Sequence, residues 1–321
     1  MSLFSLSIII VNYNTKKLLE DCLNSIYLNP YEGEFEVIVV DNASEDGSVA
    51  MVKKKFPLVK IIKNETNVGF AKANNQAILK SKGKFILYLN TDTLVLKNSL
   101  NLMVNFLGQS GEEVACIGCK ILNQDYSIQS STHGFPTLAK EFLHANPLIK
   151  SLLHPLFNMN WIRNGITSLI GRKNIQSFEN FDIVREVDHV TGACMMVKRS
   201  ALDRVGLMDE NYFLYHEEVD WCYRAKKKGY KIIYYPEAKI VHLKGETSGL
   251  KKGKQLPTNM LIERYRSMLY FYKTHYNSLS KLLLYFIVME GFTVRILYNL
   301  LKLNYKAITI YYEIIRLTYK P

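Results

Sequence analysis

At 321 residues and 48% hydrophobic content, the chain can bury one large α/β core and still have material left over. A net charge of +12 makes nucleic acid the first partner to consider, but no zinc finger, helix-turn-helix or aromatic RNA-binding signature accompanies it, so no nucleic acid is expected. No repeat or low-complexity tract appears.

Residues 7–11 (SIIIV) form a continuous apolar, β-branched run of the kind found in buried parallel strands, and they open onto Asn12, Tyr13, Asn14 and Thr15. A helix pattern follows over 18–26. A second buried strand over 37–40 ends at Asp41, Asn42, Ala43 and Ser44, and a third over 85–89 runs into Asn90, Thr91 and Asp92. Strands that end in polar residues are how open α/β sheets build a site beyond their carboxyl ends, and a small polar ligand is expected there. A helix is suggested over 98–107. Cys116 and Cys119 form a C-x-x-C, but no second pair stands at a zinc-like distance. The odd total of five cysteines and the absence of a signal-peptide pattern point to a reducing cytosol, with all five thiols reduced and buried or half-buried.

Residues 133–182 break the strand rhythm and read as an insertion; the histidines at 133, 144 and 154 are too irregularly spaced to suggest a metal site. Residues 188–242 carry the densest chemistry. Glu217, Glu218 and Asp220 stand at the start of a helix pattern, where the positive end of the helix dipole favours their ionised forms. Trp221, Cys222 and Ala225 give that helix its apolar stripe, Lys226, Lys227 and Lys228 fill its last turn, and Gly229 stops it. A lone His242 follows a strand-like run. Taken singly, each polar residue has an ordinary reading: an Asn or Asp after a strand is commonly a turn former or cap, and a lone histidine a satisfied core residue.

Six motifs change those odds by occurring together and in order: SIIIVNYN at 7–14, VIVVDNAS at 37–44, NVGFAKANNQAI at 67–78, LYLNTDT at 87–93, VTGACMMVKR at 190–199 and FLYHEEVDWCYRA at 213–225. With them the chain resembles a family 2 glycosyltransferase of the GT-A fold, close to the bacterial rhamnosyltransferase-like members. The resemblance implies an α/β, GT-A-type single domain with a mostly parallel central sheet flanked by helices, plus a C-terminal helical extension. It implies one in-line displacement at the sugar, which needs a base for the acceptor hydroxyl and a charge sink for the leaving diphosphate. Glu218 aligns with the usual base, beside Glu217, and Asp220 looks like a structural or acceptor-orienting acid. Asp92 and His242 match the protein ligands of a divalent cation, Mn²⁺ or Mg²⁺. Because Asn90 and Thr91 precede Asp92 where many relatives have further acids, the metal is expected to arrive with the donor. Asp41 resembles the acid that reads uracil or thymine, with Asn12, Asn14 and Asn42 lining base and ribose; Asn67, Gly69 and Phe70 resemble the strip leading to the diphosphate, and Asn90 faces the ribose or first phosphate.

On this reading residues 1–100 form the half that binds the nucleotide-sugar donor, of dTDP or UDP type. Residues 101–250 form the catalytic half that binds a glycan or lipid-linked acceptor, with the insertion at about 133–182, and residues 251–321 a basic amphipathic helical extension. Rhamnose from dTDP-rhamnose is the expected sugar, with UDP-hexoses next. From residue 261 onward there are nine Lys and Arg against three Glu. The uncharged run LLLYFIVM between Lys281 and Glu290 is far short of the ~20 residues that span a bilayer. If the stretch is one helix, eased by a bend at Gly291, then Lys281, Arg295, Lys302 and Lys306 fall on one side. That is the pattern of a helix lying on an anionic membrane surface, at the inner face of the cell membrane. The alternative is packing on the catalytic domain or on a second subunit, as a homodimer. Competing functions are a sugar nucleotidyltransferase, which should carry a glycine-rich basic loop where this chain has VNYN, and a dinucleotide oxidoreductase, which should carry G-x-G-x-x-G there. A non-catalytic glycan-binding scaffold is the third, and retention of Asp92, Glu218 and His242 together speaks against it.

Overall fold

The computed structural model describes residues 5–146, 181–243, 258–301 and 303–319. The chain divides into two compact units, one of residues 1–134 with 180–256 and one of residues 135–179 with 257–321.

In the first unit the apolar runs become strands with helices between them. The order begins β1 (Leu6–Asn12), α1 (Lys16–Leu28), β2 (Phe35–Asp41), α2 (Ser48–Lys55), β3 (Lys60–Lys63), α3 (Phe70–Lys80), β4 (Phe85–Leu89), β5 (Thr93–Val95) and α4 (Ser99–Gln109). It continues through β6 (Val114–Leu122), β7 (Ile128–Gln129) and β8 (Thr132–His133). After the helix of the second unit, α5 (Leu138–Ala145), come β9 (Arg185–Val187), β10 (His189–Val190), β11 (Cys194–Lys198), α6 (Arg199–Val205), α7 (Glu217–Lys227) and β12 (Lys231–His242).

The main sheet has the order β3-β2-β1-β4-β11-β6-β12-β5, with β7 beside β6 and β9 beside β12. β1 to β4 are mutually parallel where they pair, and β12 is parallel to β6, while β11, β5, β7 and β9 run against their neighbours. Burial explains the composition: Ile8, Ile9 and Ile10 of β1 are fully enclosed, as are Leu19, Cys22, Leu23 and Ile26, which recur along one face of α1. The register pairs Asn12 with Asp41 and Ile9 with Tyr88, so β1, β2 and β4 end on one edge of the sheet. All five cysteines are buried free thiols, and desolvation pushes the Cys22 thiol up to about 12. Cys116 and Cys119 both lie in β6, every residue of which is buried.

The second unit contains α5, α8 (Thr258–His275), α9 (Ser278–Leu301) and α10 (Tyr305–Tyr319). Here the expected single basic-faced helix is corrected. α9 ends at Leu301, Leu303 takes a left-handed conformation, φ 52°, and a new helix begins at Tyr305. Nor does Arg295 present a free cation: its guanidinium lies over the rings of Phe292 and Tyr311, 4.9 and 5.9 Å from their centroids, and donates to the His144 carbonyl at 2.7 Å. Lys302 and the side chain of Lys306 lie outside the described residues. Gly291 has a packing role within a continuous helix, because a Cβ there would stand 2.6 Å from Ala145 Cβ. No helix among the described residues is long and apolar enough to cross a membrane. His154 and most of the 133–182 segment lie outside the described residues, whereas His133 pairs with His189 across β8 and β10.

Candidate active site

Three strand ends and one helix start define the site within the first unit. At the first, Asp41 is buried and its two oxygens are separately held: Oδ1 accepts from Asn12 Nδ2 at 2.9 Å and Oδ2 from the Ser44 N–H at 3.0 Å. Asn12 Nδ2 also donates to Ser44 Oγ, and Asn12 Oδ1 accepts from Thr15 Oγ1 at 2.7 Å. Asn12, itself fully buried, is thus spent on bracing Asp41. Each carboxylate oxygen keeps a further lone-pair direction for a ligand N–H. Asn14, left-handed at φ 52° and exposed, ties the two turns together: its N–H donates to Ser44 Oγ at 2.9 Å and its Oδ1 accepts from the Glu45 N–H at 2.8 Å.

Asn42 connects this corner to the next. Its Nδ2 donates to Asn67 Oδ1 and to the Gly69 carbonyl, both at 3.2 Å, and its Oδ1 accepts from Asn64. Gly69 takes φ 86°, and a Cβ there would stand 2.7 Å from the Phe213 carbonyl oxygen, which accepts from the Phe70 N–H at 2.7 Å. The close approach that glycine permits here is to the 213–216 loop leading into α7.

Beyond β4, the Asn90 N–H donates to the Ala193 carbonyl at 3.1 Å, and Thr15 Oγ1 and Thr91 Oγ1 lie 3.2 Å apart, bridging the first and third strand ends. Asp92 is 3% exposed; its carbonyl accepts from the Leu243 N–H, and its Oδ1 lies 3.3 Å from Nε2 of His242, the last residue of β12. The other ring nitrogen of His242 is 2.7 Å from Gln129 Oε1.

The acids sit at the N-terminus of α7, entered through Tyr215 and His216, two successive non-glycine residues at φ 69° and 67°. Such left-handed pairs cost energy and persist where the surroundings dictate them. Glu217 is buried, and its Oε2 has no hydrogen-bond partner among the described residues; burial first, then the neighbouring charge of Glu218, raise its carboxyl well above the ordinary glutamate range. Glu218 is half-buried and raised by desolvation, against which the N–H groups of Glu218, Val219 and Gly192 favour its ionised form. Asp220 faces away from this chemistry. It is 1% exposed and bound to Arg224 Nε at 2.7 Å, while Arg224 also donates to the Val205 and Leu207 carbonyls, so the pair clamps the turn after α6 to α7.

The contacts close into a ring: Asp41 through Asn12 and Thr15 to Thr91 and Asp92, Asn90 through Ala193 and Gly192 to Glu218, and back from Phe213 through Gly69 to Asn42. Asp41, Asp92 with His242, and Glu218 are therefore tied to one another through neighbouring residues. Thr15, Ser44, Gln129 and Gly192 join them; the sequence marked Thr15 and Ser44 only as polar residues at strand ends, and Gln129 and Gly192 had no role there, although Gly192 lies in one of the motifs. The donor set of Asp92 and His242, a buried carboxylate oxygen beside an imidazole nitrogen, fits a borderline-hard divalent cation. Among the described residues no group of three His, Cys, Asp or Glu could hold a metal, so the protein would supply two ligands and the rest would be oxygens of a ligand or water.

The mannosyltransferase PcManGT of Pyrobaculum calidifontis, solved with GDP-Man and Mn²⁺, superposes with a TM-score of 0.55 at 16% identity, over 98% of this chain and 86% of that one. The fold is GT-A: a mainly parallel central sheet flanked by helices, followed here by C-terminal helices. The chain belongs to glycosyl transferase family 2, whose model matches residues 7–206. Among curated relatives, an N-acetylglucosaminyl-diphospho-decaprenol L-rhamnosyltransferase of Mycobacterium tuberculosis is 27% identical over 255 residues, 76% of this chain and 78% of the relative. A low-salt glycan biosynthesis hexosyltransferase, Agl10 of Haloferax volcanii, is 25% identical over 71% of this chain and 63% of its own length.

Proposed function

We propose that this glycosyltransferase is a metal-assisted inverting enzyme that moves a sugar from a pyrimidine nucleoside diphosphate to the hydroxyl of a glycan or lipid-linked acceptor, in the assembly of a bacterial surface polysaccharide. The observation that carries the reading is the ring of contacts that sets the braced Asp41, the Asp92–His242 pair and the Glu218 carboxylate along one edge of the sheet. Asp41, with both oxygens aimed by Asn12 and Ser44, accepts the imide N–H of uracil or thymine. Asn67, Gly69 and Phe70 lead from the base, and Asn90 faces the ribose or first phosphate. Asp92 and His242 would hold Mn²⁺ or Mg²⁺, which when bound neutralises charge on the leaving diphosphate. Glu218, half-buried and favoured as an anion by three N–H groups, takes the acceptor proton as the acceptor oxygen attacks the anomeric carbon. Glu217, buried and raised by desolvation and by the charge of Glu218, stays protonated on this reading.

Rhamnose from dTDP-rhamnose is the favoured donor, supported by the mycobacterial relative, and UDP-hexoses come next. The enzyme works at the cytoplasmic face of the membrane. Support comes from the outward side of α9, where Leu279, Leu282, Leu283, Phe286, Val294 and Leu297 are each at least 43% exposed and lie within about 120° of arc at 100° per residue. A lipid surface covers such a face, and the cationic excess of the tail favours anionic headgroups. Thermal shift with dTDP, UDP and GDP and their sugars, with and without Mn²⁺, tests the donor. A ligand at about 100 times its Kd stabilises the native state by about 2.7 kcal/mol, so dTDP- or UDP-sugars with Mn²⁺ should give the largest rise in Tm. A response confined to GDP-sugars, or none to any nucleotide, would reject the pyrimidine reading.

A further inference from the structure

We infer that Gln129 is the positioning residue that keeps His242 in the tautomer able to bind metal. The inference rests on the proposed role of Asp92 and His242, and it is fixed by a chain of hydrogen bonds whose direction can be worked out from one end. The end is the turn between β6 and β7. The Asp125 carboxylate can only accept, and Ser127 Oγ donates its single proton to Asp125 Oδ1 at 2.5 Å. Ser127 Oγ must therefore accept from Asn123 Nδ2, 2.9 Å away. That orients the Asn123 amide with Oδ1 toward Gln129 Nε2, which donates to it at 2.8 Å. Gln129 is left presenting its carbonyl Oε1 to Nδ1 of His242 at 2.7 Å.

Two acceptors cannot share that distance without a proton between them, so Nδ1 carries the hydrogen. In the neutral ring the lone pair then lies on Nε2, the nitrogen 3.3 Å from Asp92 Oδ1. The opposite tautomer would point N–H at a cation. Gln129 is 9% exposed and is held in register opposite Ile121, and the Asn123 N–H donates to the Ser127 carbonyl at 2.8 Å, closing the turn where the chain begins. Partners of this kind set the tautomer and ring orientation of ligating histidines. Gln129 touches neither metal nor substrate and acts only through His242.

The test begins with the intact, metal-free protein at about pH 8.5, above the ordinary imidazole range. Long-range ¹H–¹⁵N correlation of the ring nitrogens, with the His242 set identified by its loss in His242→Ala, should find Nδ1 protonated. Gln129→Met, close in shape and without the acceptor, should move His242 toward the Nε2-protonated form and weaken Mn²⁺ binding, followed by electron paramagnetic resonance with UDP present, by about 10–100-fold. Gln129→Glu restores an acceptor and should return both readouts toward wild type. An Nε2-protonated ring in the wild-type protein overturns the inference without any variant, and so does a folded Gln129→Met that binds Mn²⁺ like wild type. If His242→Ala itself binds Mn²⁺ with wild-type affinity, the metal-holding role of His242 fails and the inference falls with it.

Discussion

Burial pushes both carboxyls of Glu217 and Glu218 up, but the two environments differ in what opposes it. Glu217 has only its own N–H against desolvation and the charge of Glu218, whereas Glu218 has its own N–H and those of Val219 and Gly192. On the proposed reading the proton rests on Glu217 and the negative charge on Glu218, an assignment the identical side chains do not reveal by themselves. Glu218→Gln removes the proton acceptor and should lower kcat by roughly 10²–10⁴-fold while nucleotide binding survives. Glu217→Gln replaces an already neutral group and should retain most activity. Because the Glu218 pKa is raised, the ionised fraction is lost as pH falls through a value above the ordinary glutamate range, and the acid limb of kcat should lie there and persist in Glu217→Gln. An active Glu218→Gln beside an inactive Glu217→Gln would reverse the two roles.

Among the elements, α7 was legible and α9 was misread for separable reasons. Acids, apolar stripe, lysines and Gly229 lie within one local window, and the expected helix matches the observed α7 to within a residue. In α9 the period was read correctly, but which side faces outward depends on Ala145 seating against Gly291 and on Arg295 reaching the His144 carbonyl, contacts from about 150 residues away. The exposed side is accordingly apolar, and Arg295 points inward. Charged substitutions on that side should leave the fold intact, since Leu283 and Phe286 are 43% and 59% exposed. Leu283→Glu with Phe286→Glu should abolish flotation with anionic vesicles while donor hydrolysis continues. Wild-type protein that does not float at low salt but sediments as a dimer, dispersed by the same substitutions, would assign the face to a second copy.

For the whole molecule, a metal site with only Asp92 and His242 as protein ligands, as proposed, would couple metal to donor. With no group of three His, Cys, Asp or Glu that could hold a metal among the described residues, Mn²⁺ alone should bind weakly, and dTDP or UDP should raise its affinity by at least about 10-fold, with Mn²⁺ raising nucleotide affinity by the same factor. Isothermal titration in both orders checks the reciprocity; equal Mn²⁺ affinity with and without nucleotide would dissolve the coupling. The strand ends at Asn12, Asp41 and Asn90 were readable because an apolar β-branched run followed by polar residues is a signal within ten residues of chain. Motif order supplied the family. What only the tertiary structure decided is how those polar groups are spent. Asn12 braces Asp41 because β1 and β2 pair in register. Asp220 is tied to a structural clamp because Arg224 lies one helical turn on and reaches the Val205 and Leu207 carbonyls. Gln129, in a run with no motif, meets His242 because β7 joins β6, which itself pairs with β12. Local sequence fixes which residues end a strand or start a helix, because those preferences act over a few bonds. Proton placement, tautomer and outward face depend on burial and on partners brought from far along the chain, and they exist only once the sheet has closed.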